Sequence, residues 1–301
     1  MWIRKGRIYE PTNKHGWRHS HAYVPTALVL DDYVRVYVSF WDENNIGRIG
    51  YIEFDPTGTN PLLFISDEPV LDVGRPGTFD DNGVTPSALL KINNDIYLYY
   101  VGWQLGVKVR YFLFLGLAIS KDGGKSFKRS SEAPILDRKD GELFVRSGAT
   151  IIKHSNKYMM WYAGGDRWLN INGKDVPTYS LRYIESRDPT KWDTNSMICL
   201  EPQEGEIGFG RPSVIFEDNI FKMWYSVRSV ENKYRIGYAE SSNGLDFVRK
   251  DEYGGLKPSS SGWDSEMTAF GAVFDFKGAR YMVYNGNNFG ETGIGLAIWE
   301  D

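Results

Sequence analysis

Apolar and polar residues alternate along this chain in short stretches that recur at nearly constant spacing. Each period begins with an apolar stretch at a Pro or Gly, 61, 62, 64 and 59 residues apart: Pro25, Pro86, Gly148, Pro212 and Gly271. An aromatic stretch with strict alternation follows each one: RVYVSFW, IYLYYVGW, YMMWYAGG, FKMWYSVR and RYMVYNGN. Alternation with a period of two predicts β-strands. The pattern therefore predicts an all-β chain made of five copies of one unit.

A third and a fourth strand complete each predicted unit. The third strands begin at Gly50, Gly116, Arg182, Gly237 and Gly295. Fourth strands follow in the first four units as EPVLD, APILD, ICLEP and GGLKP, and GRIYEP at residues 6–11 supplies the fifth copy. We therefore predict a five-bladed β-propeller with four-stranded blades. It forms a single domain over residues 1–301, and the N-terminal strand closes the ring.

Composition and charge narrow the classes of partner. The 301 residues carry a formal net charge of −4, and the Lys and Arg residues are scattered, which argues against a nucleic-acid or membrane-surface partner. With Cys199 as its one cysteine, the sequence has no intramolecular disulfide and no Cys-based metal cluster. We expect no metal and no cofactor. No apolar run approaches a membrane span, and the N-terminus lacks an apolar leader segment, so we predict a cytoplasmic protein.

Three turns between predicted third and fourth strands share a second signature. Their sequences are SKDGGKSF, SRDPTKW and SSNGLDF, each with a Ser, an Asp or Asn two residues later, and then an aromatic residue. These turns resemble the Asp boxes of sialidase-type propellers. An Asp or Asn side chain accepts hydrogen bonds from nearby backbone N–H groups. We therefore predict a structural role on the outer rim, with the aromatic ring packed between blades.

Five polar or charged residues precede the first strands of the units: His21, Asp81, Arg146, Arg211 and Glu266. Such residues are costly to bury without partners. The first strand of each propeller blade lines the central channel, so these side chains are predicted to converge on one wet funnel. The alternative is that they pair with one another and only hold water. Convergent titratable groups of both signs in a cleft favour a ligand site.

The stretches FDDNGVTPSALL, FGRPSVIF and GWDSEMTAFGAVF are similar to five-bladed glycoside hydrolase propellers of families 43, 32 and 130. They also resemble uncharacterised glycosidase-like propellers encoded with surface-polysaccharide genes. The resemblance implies catalytic carboxylates at the first-strand positions. Families 43 and 32 place an Asp in the first blade and a Glu in the third, whereas this chain has His19 and His21 in the first and Arg146 in the third. Glu142, four residues before Arg146, either reaches inward or, as the stretch DRKDGELFVR favours, is a solvated loop charge.

Glycoside cleavage needs a proton donor near the leaving oxygen and usually a second carboxylate. Asp81, with Asp80 beside it, is the predicted donor, and Glu266 or Asp264 is the predicted second carboxylate. Asp80 also fits a turn role, since DDNG is turn chemistry.

Cationic and imidazole groups near the same strand starts favour an anionic ligand. An Arg fork binds carboxylate or phosphate with two parallel bonds, and His adds a donor near neutral pH. The ligand would be an acidic sugar, a sugar phosphate or inorganic phosphate. Internal pairing, of Arg146 with Asp81 or of Arg211 with Glu266, is the alternative. The predicted anion-binding residues are His19, His21, Arg146 and Arg211.

The ends of the second strands are predicted to surround the mouth of the funnel. Aromatic residues there fit stacking on sugar rings, or packing in the blades. Polar residues there fit bonds to hydroxyl groups. The polar insert DRWLNINGKDVPTYS in the third unit is predicted to be a lid or specificity loop. The predicted contacts are Trp41, Trp103, Trp168, Asp166, Arg167, Arg228, Asn285 and Asn288.

Two hypotheses on function follow from these residues. The first is a carbohydrate-active enzyme, a glycoside hydrolase or a phosphorylase or transferase, that acts on a glycan or an anionic sugar in the funnel. The second is a non-hydrolytic glycan-binding propeller whose carboxylates only recognise sugar. The missing first-blade Asp and third-blade Glu favour the second.

Overall fold

The computed structural model describes residues 1–12, 16–59, 61–192, 195–230 and 234–300. β-Strands dominate these residues, so the prediction of an all-β chain is confirmed. The helical segments are short: a 3-10 turn at Gly16–Arg18, α1 at Asp251–Gly254 and α2 at Asn287–Gly290. No helix in these ranges is long and apolar enough to cross a membrane.

Antiparallel pairing joins the described strands in sets of four that follow the sequence repeat. Group 1 contains β2 (Ser20–Val29), β3 (Val34–Trp41), β4 (Gly47–Phe54) and β5 (Leu62–Ile65), and group 2 contains β6 (Val84–Ile92), β7 (Asp95–Leu105), β8 (Tyr111–Ser120) and β9 (Lys128–Arg129). Group 3 contains β10 (Val145–His154), β11 (Lys157–Ile171), β12 (Lys174–Ser186) and β13 (Met197–Leu200). Group 4 contains β14 (Glu206–Glu217), β15 (Ile220–Ser229), β16 (Arg235–Ser241) and β17 (Val248–Arg249). Short parallel bridges link β8 to β10 and β12 to β14.

Group 5 is completed by the N-terminal strand. It contains β18 (Ala269–Phe276), β19 (Ala279–Asn285), β20 (Ile294–Trp299) and β1 (Trp2–Tyr9). Trp2 lies opposite Trp299 and Tyr9 lies opposite Ile294. The observed strand begins before the predicted residues 6–11, because the Trp2 side chain is buried against aromatic rings of β15 and β20.

The first strands of the five groups contact one another in cyclic order, β2 to β6, β10, β14, β18 and back to β2. Each has a break in its pairing register at an equivalent point, which in β2 lies between Tyr23 and Thr26. Val24, Arg211 and Phe270 adopt positive φ there, of 53°, 44° and 55°. Such bulges turn side chains away from the strand's regular alternation.

The hydrophobic core lies between neighbouring groups, in separate clusters. Phe40 and Phe54 of group 1 pack with Phe274 of group 5, and Tyr37 of group 1 packs with Tyr100 of group 2. Further clusters lie between groups 2 and 3, between groups 3 and 4, and between groups 4 and 5. Each sheet therefore buries both faces against its neighbours, which accounts for the aromatic content of the second strands.

The three Asp-box-like turns have the predicted structure. In the turn after β8, Asp122 Oδ1 accepts hydrogen bonds from the backbone N–H groups of Lys125 (3.0 Å) and Ser126 (3.1 Å). Phe127, in the same turn, packs on Tyr37 of group 1 at a ring distance of 5.5 Å. The side chains of Asp188 and Asn243 accept equivalent backbone bonds in the turns after β12 and β16.

The pairing of β1 predicts that Trp2 is a major contributor to stability. Its indole Nε1 donates to the Gly254 carbonyl (2.9 Å), and its ring packs on Trp224 and Trp299. We expect Trp2→Ala to lower the free energy of unfolding by about 3–5 kcal/mol, as for other buried aromatic residues. Urea denaturation measures the change. Ile3→Ala, on the same strand but 37% exposed, is the matched control, and equal losses in both variants would contradict the packing role of β1.

Candidate functional site

A cavity of about 450 Å³, the central cavity, lies where the first strands meet. Every first strand contributes to its wall from the equivalent register break described above. Because these strands contact one another in a cycle, the cavity receives side chains from every group. The contributing residues at the register breaks are Val24, Pro86, Gly148, Arg211 and Phe270.

Eight of the remaining described lining residues are aromatic. Trp41 and Trp103 lie at the ends of β3 and β7, and the Tyr23 ring contacts both, at 5.5 and 6.5 Å. Trp103 Nε1 donates to Thr85 Oγ1 (3.0 Å), which fixes the indole plane. The structure therefore brings two of the three predicted stacking tryptophans to the cavity.

Four tyrosines, Tyr23, Tyr111, Tyr179 and Tyr234, bring their hydroxyl groups to the cavity near the guanidinium of Arg228. The hydroxyls of Tyr111 and Tyr179 are 3.0 Å apart. Burial raises the pKa of Tyr234 to about 12, with Arg228 opposing the shift. Burial likewise raises the pKa of Tyr23 and of Tyr179 far above the ordinary value, so these hydroxyls are neutral donors and acceptors at physiological pH.

Three guanidinium groups line the central cavity: Arg110, Arg211 and Arg228. Within the described parts of the chain, none of them forms an ion pair with a carboxylate, and no Asp or Glu lines the cavity. The described wall of the cavity is therefore aromatic and cationic.

The guanidinium of Arg211 is held by two backbone carbonyls and one side-chain hydroxyl. Its Nη1 donates to the Gly271 carbonyl (2.9 Å), and its Nη2 donates to the Pro25 carbonyl (2.8 Å) and to Thr26 Oγ1 (2.9 Å). Its Nε is buried and has no hydrogen-bond partner among the described residues. Burial lowers the pKa of Arg211 to about 10, so the group stays cationic at neutral pH. The pairing of Arg211 with Glu266, considered from the sequence, is not formed.

Asp80 and Asp264 lie in buried ion pairs away from the central cavity. Asp80 accepts bonds from Arg129 Nε (2.7 Å) and from the Tyr100 hydroxyl (3.0 Å). Asp264 accepts bonds from Arg4 Nε (3.0 Å) and from the Tyr284 hydroxyl (2.9 Å). In groups 2 and 5 these carboxylates thus join a second strand to an outer strand. Asp251 pairs similarly with Tyr225 and Arg249 in group 4.

Asp81 and Glu266 also lie outside the cavity lining. Asp81 Oδ2 accepts a bond from the Gly77 backbone N–H (2.9 Å), which closes the turn before β6. Glu266 is exposed before β18, where its backbone N–H donates to Asn287 Oδ1 (2.7 Å). The structure therefore does not bring the four carboxylates of the sequence prediction together at the cavity.

Arg146 pairs with Glu142, and both side chains are fully buried. Arg146 Nε donates to Glu142 Oε2 (3.0 Å), its Nη1 to the Asp137 carbonyl (2.7 Å) and its Nη2 to the Tyr162 hydroxyl (3.1 Å). The expectation of a solvated loop charge at Glu142 is wrong. The partner is Glu142, not Asp81, because a carboxylate next to Arg146 and Tyr162 gains three compensating hydrogen bonds, including one from Ser196.

His21 lies behind the wall of the central cavity. Its ring stacks on Trp41 with centroids 3.8 Å apart, and its Nδ1 is 2.9 Å from Ser20 Oγ. Burial lowers the pKa of His21 to about 4, although nearby Glu291 opposes the shift. His21 is therefore neutral at pH 7 and adds no positive charge. His19 is half-buried and lies outside the cavity lining.

The predicted mouth residues separate into three sets. Arg228 reaches the central cavity, whereas Trp168 packs behind it on Tyr111 and Phe144, at 5.7 and 5.0 Å. Asn285 is fully buried and joins group 5 to group 1, accepting from Val24 N–H (2.8 Å) and donating to the Ala22 carbonyl (2.7 Å). The exposed residues outside the lining are Arg167 and Asn288, the latter donating to Glu291. The side chain of Asp166 lies outside the described residues.

The sequence prediction missed Arg110 and the tyrosines at the starts of the third strands. A signal was present in part, because Tyr179 and Tyr234 each stand three residues before the predicted third-strand starts Arg182 and Gly237. Among the described residues, no group of three or more His, Cys, Asp or Glu side chains is arranged to hold a metal ion.

Several solved structures that match this fold are described as glycoside hydrolases or as members of families that contain them. A structure described as "Glycoside hydrolase" matches with a TM-score of 0.75 at 18% identity, covering 99% of this chain and 91% of the other. A thermostable family-43 glycoside hydrolase matches with a TM-score of 0.70 at 18% identity, covering 94% and 91%. A structure from the GH130 family of mannoside phosphorylases matches with a TM-score of 0.71 at 17% identity, covering 99% and 90%. The chain therefore has the fold of glycoside hydrolase-like propellers, as its motifs predicted.

A sequence relative defines the family. The chain is 33% identical over 302 residues to the Mycobacterium tuberculosis protein described as "Uncharacterized protein MT1551", covering 100% of this chain and 99% of that protein. The protein Rv1502 from a second Mycobacterium tuberculosis strain matches with the same identity and coverage. This chain belongs to the same protein family as MT1551 and Rv1502. No family model matches the chain.

Because Asp80 lies in a buried ion pair outside the cavity lining, we expect its substitution to lower the stability of the fold rather than the affinity for a ligand. Asp80→Ala leaves Arg129 without its carboxylate partner, and we expect the free energy of unfolding to fall by about 3 kcal/mol. Asp81→Ala, which removes only a turn bond at a half-exposed site, should cost about 1 kcal/mol or less. Chemical denaturation compares the two. A larger loss for Asp81→Ala would contradict this assignment.

The low pKa of His21 predicts a pH-dependent stability. Between pH 6.5 and pH 4 the unfolded chain binds a proton at His21 that the folded chain does not, so stability falls as the pH falls through this window. We expect the loss between pH 7 and pH 5 to be smaller in His21→Phe by up to about 2 kcal/mol. Urea denaturation at both pH values measures it. Identical losses in the two proteins would contradict a neutral, buried His21.

Proposed function

We infer that the five four-stranded groups are the blades of a closed five-bladed propeller that forms one domain. The cyclic contacts of the first strands support the ring. The pairing of β1 with β20 supports closure by the N-terminal strand. The hydrophobic clusters between neighbouring groups, including the one between groups 5 and 1, support a single folded unit.

We propose that this propeller binds an anionic saccharide in its central cavity. The observation that carries the proposal is the set of three guanidinium groups, Arg110, Arg211 and Arg228, in a wall whose described residues include no carboxylate. Arg211 is buried, Arg228 is half-buried and Arg110 is exposed, and a cation with no carboxylate partner among the described residues is favourable to an anion that enters. An acidic sugar or a sugar phosphate supplies that charge.

The aromatic wall supports a sugar ring as the body of the ligand. Trp41 and Trp103 line the cavity, where Trp41 stacks one ring face on His21, and the tyrosine hydroxyls supply donors and acceptors for hydroxyl groups. The cavity volume of about 450 Å³ is within the range of small-molecule sites. Fold relatives described as glycoside hydrolases and mannoside phosphorylases support a saccharide over other anions.

A carbohydrate-active enzyme is the second candidate function. Unlike a binding protein, an enzyme that cleaves glycosides needs a proton donor at the cavity. Hydrolysis by a carboxylate pair finds no support in the described wall of the cavity. Phosphorolysis, in which phosphate attacks the glycoside, would need a phosphate-binding site and one acid. The three arginines are residues that bind phosphate. We propose Asp166, which follows Gly165 in β11 and was predicted from the sequence to bond hydroxyl groups, as the residue to test for that acid.

Calorimetric titration with glucuronate, galacturonate, glucose 1-phosphate and neutral methyl glucoside tests the binding proposal. We expect at least one of the three anions to bind and methyl glucoside to bind more weakly. Arg228→Ala and Arg110→Ala should each weaken binding by at least about tenfold, because a charge-assisted bond is lost. Rising salt should also weaken it.

Arg75→Ala is the matched control, since Arg75 forms an exposed ion pair with Glu132 outside the cavity lining. Absence of binding by all three anions, or equal binding by Arg228→Ala and wild type, would overturn the proposal. Turnover of aryl glycosides, with or without phosphate, that is lost in Asp166→Asn would favour the enzyme instead.

A further inference from the structure

A long hairpin of group 3 continues past the rim of the sheet. Strands β11 and β12 stay paired from Arg167 opposite Thr178 out to Ile171 opposite Lys174. Asn172 and Gly173 form the tip with positive φ at both positions, 52° and 77°, as a two-residue hairpin turn requires. The sequence prediction of a loop is therefore replaced by a hairpin with a fixed register.

The hairpin tip encloses a second cavity, the side cavity, of about 480 Å³. Arg228, Tyr234 and Phe289 line both the side cavity and the central cavity. The two spaces are therefore neighbours that share one wall, and a ligand held at Arg228 is in position to extend from one into the other.

Aliphatic and polar side chains share the rest of the side cavity, and the polar ones are Asn172, Lys174 and Ser229. Ile171 and Val176 contribute from the hairpin, Ile207 from β14 and Val230 from the segment after β15. Lys174 adds a second cation beside Arg228, and no Asp or Glu among the described residues lines the space. The four aliphatic side chains gain free energy by covering apolar surface of a ligand.

We propose that the side cavity binds an apolar group of the ligand, an alkyl or acyl chain or an apolar aglycone, next to the anionic group held by Arg228. This inference rests on the proposed anionic-saccharide function and narrows its substrate class to an anionic glycoside with an apolar substituent. The hairpin is then a specificity element, because Ile171 and Val176 are present only through its extension beyond the sheet.

Titration with ethyl, butyl and hexyl phosphate tests the inference without fixing the sugar. We expect affinity to rise about threefold to fourfold per added methylene in the wild type, the increment for apolar burial. Val176→Asp should keep ethyl phosphate binding and lose the increment. Deleting residues 170–171 and 174–175, which shortens the hairpin by two residue pairs and keeps the Asn172–Gly173 turn, should do the same.

Val248→Asp is the control, since Val248 is 65% exposed on β17 and lines neither cavity. Three results would overturn the inference. They are no binding of any alkyl phosphate, an affinity that does not rise with chain length, and a rise in affinity that persists in both hairpin variants. The inference is also overturned if digalacturonate gains affinity over galacturonate and Val176→Asp removes that gain, which would assign the space to a second sugar. If saccharides bind but alkyl phosphates show no chain-length effect, the side-cavity inference fails and the proposed function is kept. If the chain-length effect is found but no saccharide binds, the proposed function fails and binding of an apolar group in the side cavity is kept.

Discussion

The first strand of each group has an antiparallel partner along only one edge, and the structure depends on how the other edge is satisfied. Unpaired backbone groups at the centre need partners, because water does not fully reach them. Side chains from neighbouring groups supply these partners. Ser39 Oγ donates to the Val84 carbonyl, Ser226 Oγ accepts from Phe270 N–H, and Asn285 Oδ1 accepts from Val24 N–H. These bonds fix group 1 to group 2, group 4 to group 5 and group 5 to group 1.

Arg211 is the extreme case of this constraint, and it links the centre of the fold to the chemistry of the cavity. Its guanidinium bonds to the backbones of groups 5 and 1 and so holds three groups together. No described carboxylate neutralises it. The same interaction that stabilises the centre therefore leaves a positive charge at the floor of an aromatic cavity, and the anionic ligand proposed above follows from that charge.

Four buried or partly buried carboxylates of this protein join strands within their groups. Asp80, Glu142, Asp251 and Asp264 each accept a tyrosine hydroxyl from the second strand of their own group and pair with an arginine. In groups 2, 3 and 5 the recurring carboxylate before the first strand therefore arises from a repeated structural contact. The recurrence of such a residue in the sequence does not by itself distinguish a structural ion pair from a ligand-binding site, since both need the same residue types at equivalent positions of the repeat.

The sequence by itself determined the repeat, the strand order, the N-terminal strand's place in the last group and the Asp-box-like turns, because these depend on local alternation and turn chemistry. It did not determine which polar side chains face the cavity. His21, Asp81, Arg146, Arg211 and Glu266 stand 4, 5, 2, 1 and 5 residues before their Pro or Gly, and side-chain direction alternates with each residue. Only the tertiary structure, through the bulges and the neighbouring groups, turned Arg211 to the axis and the other four away.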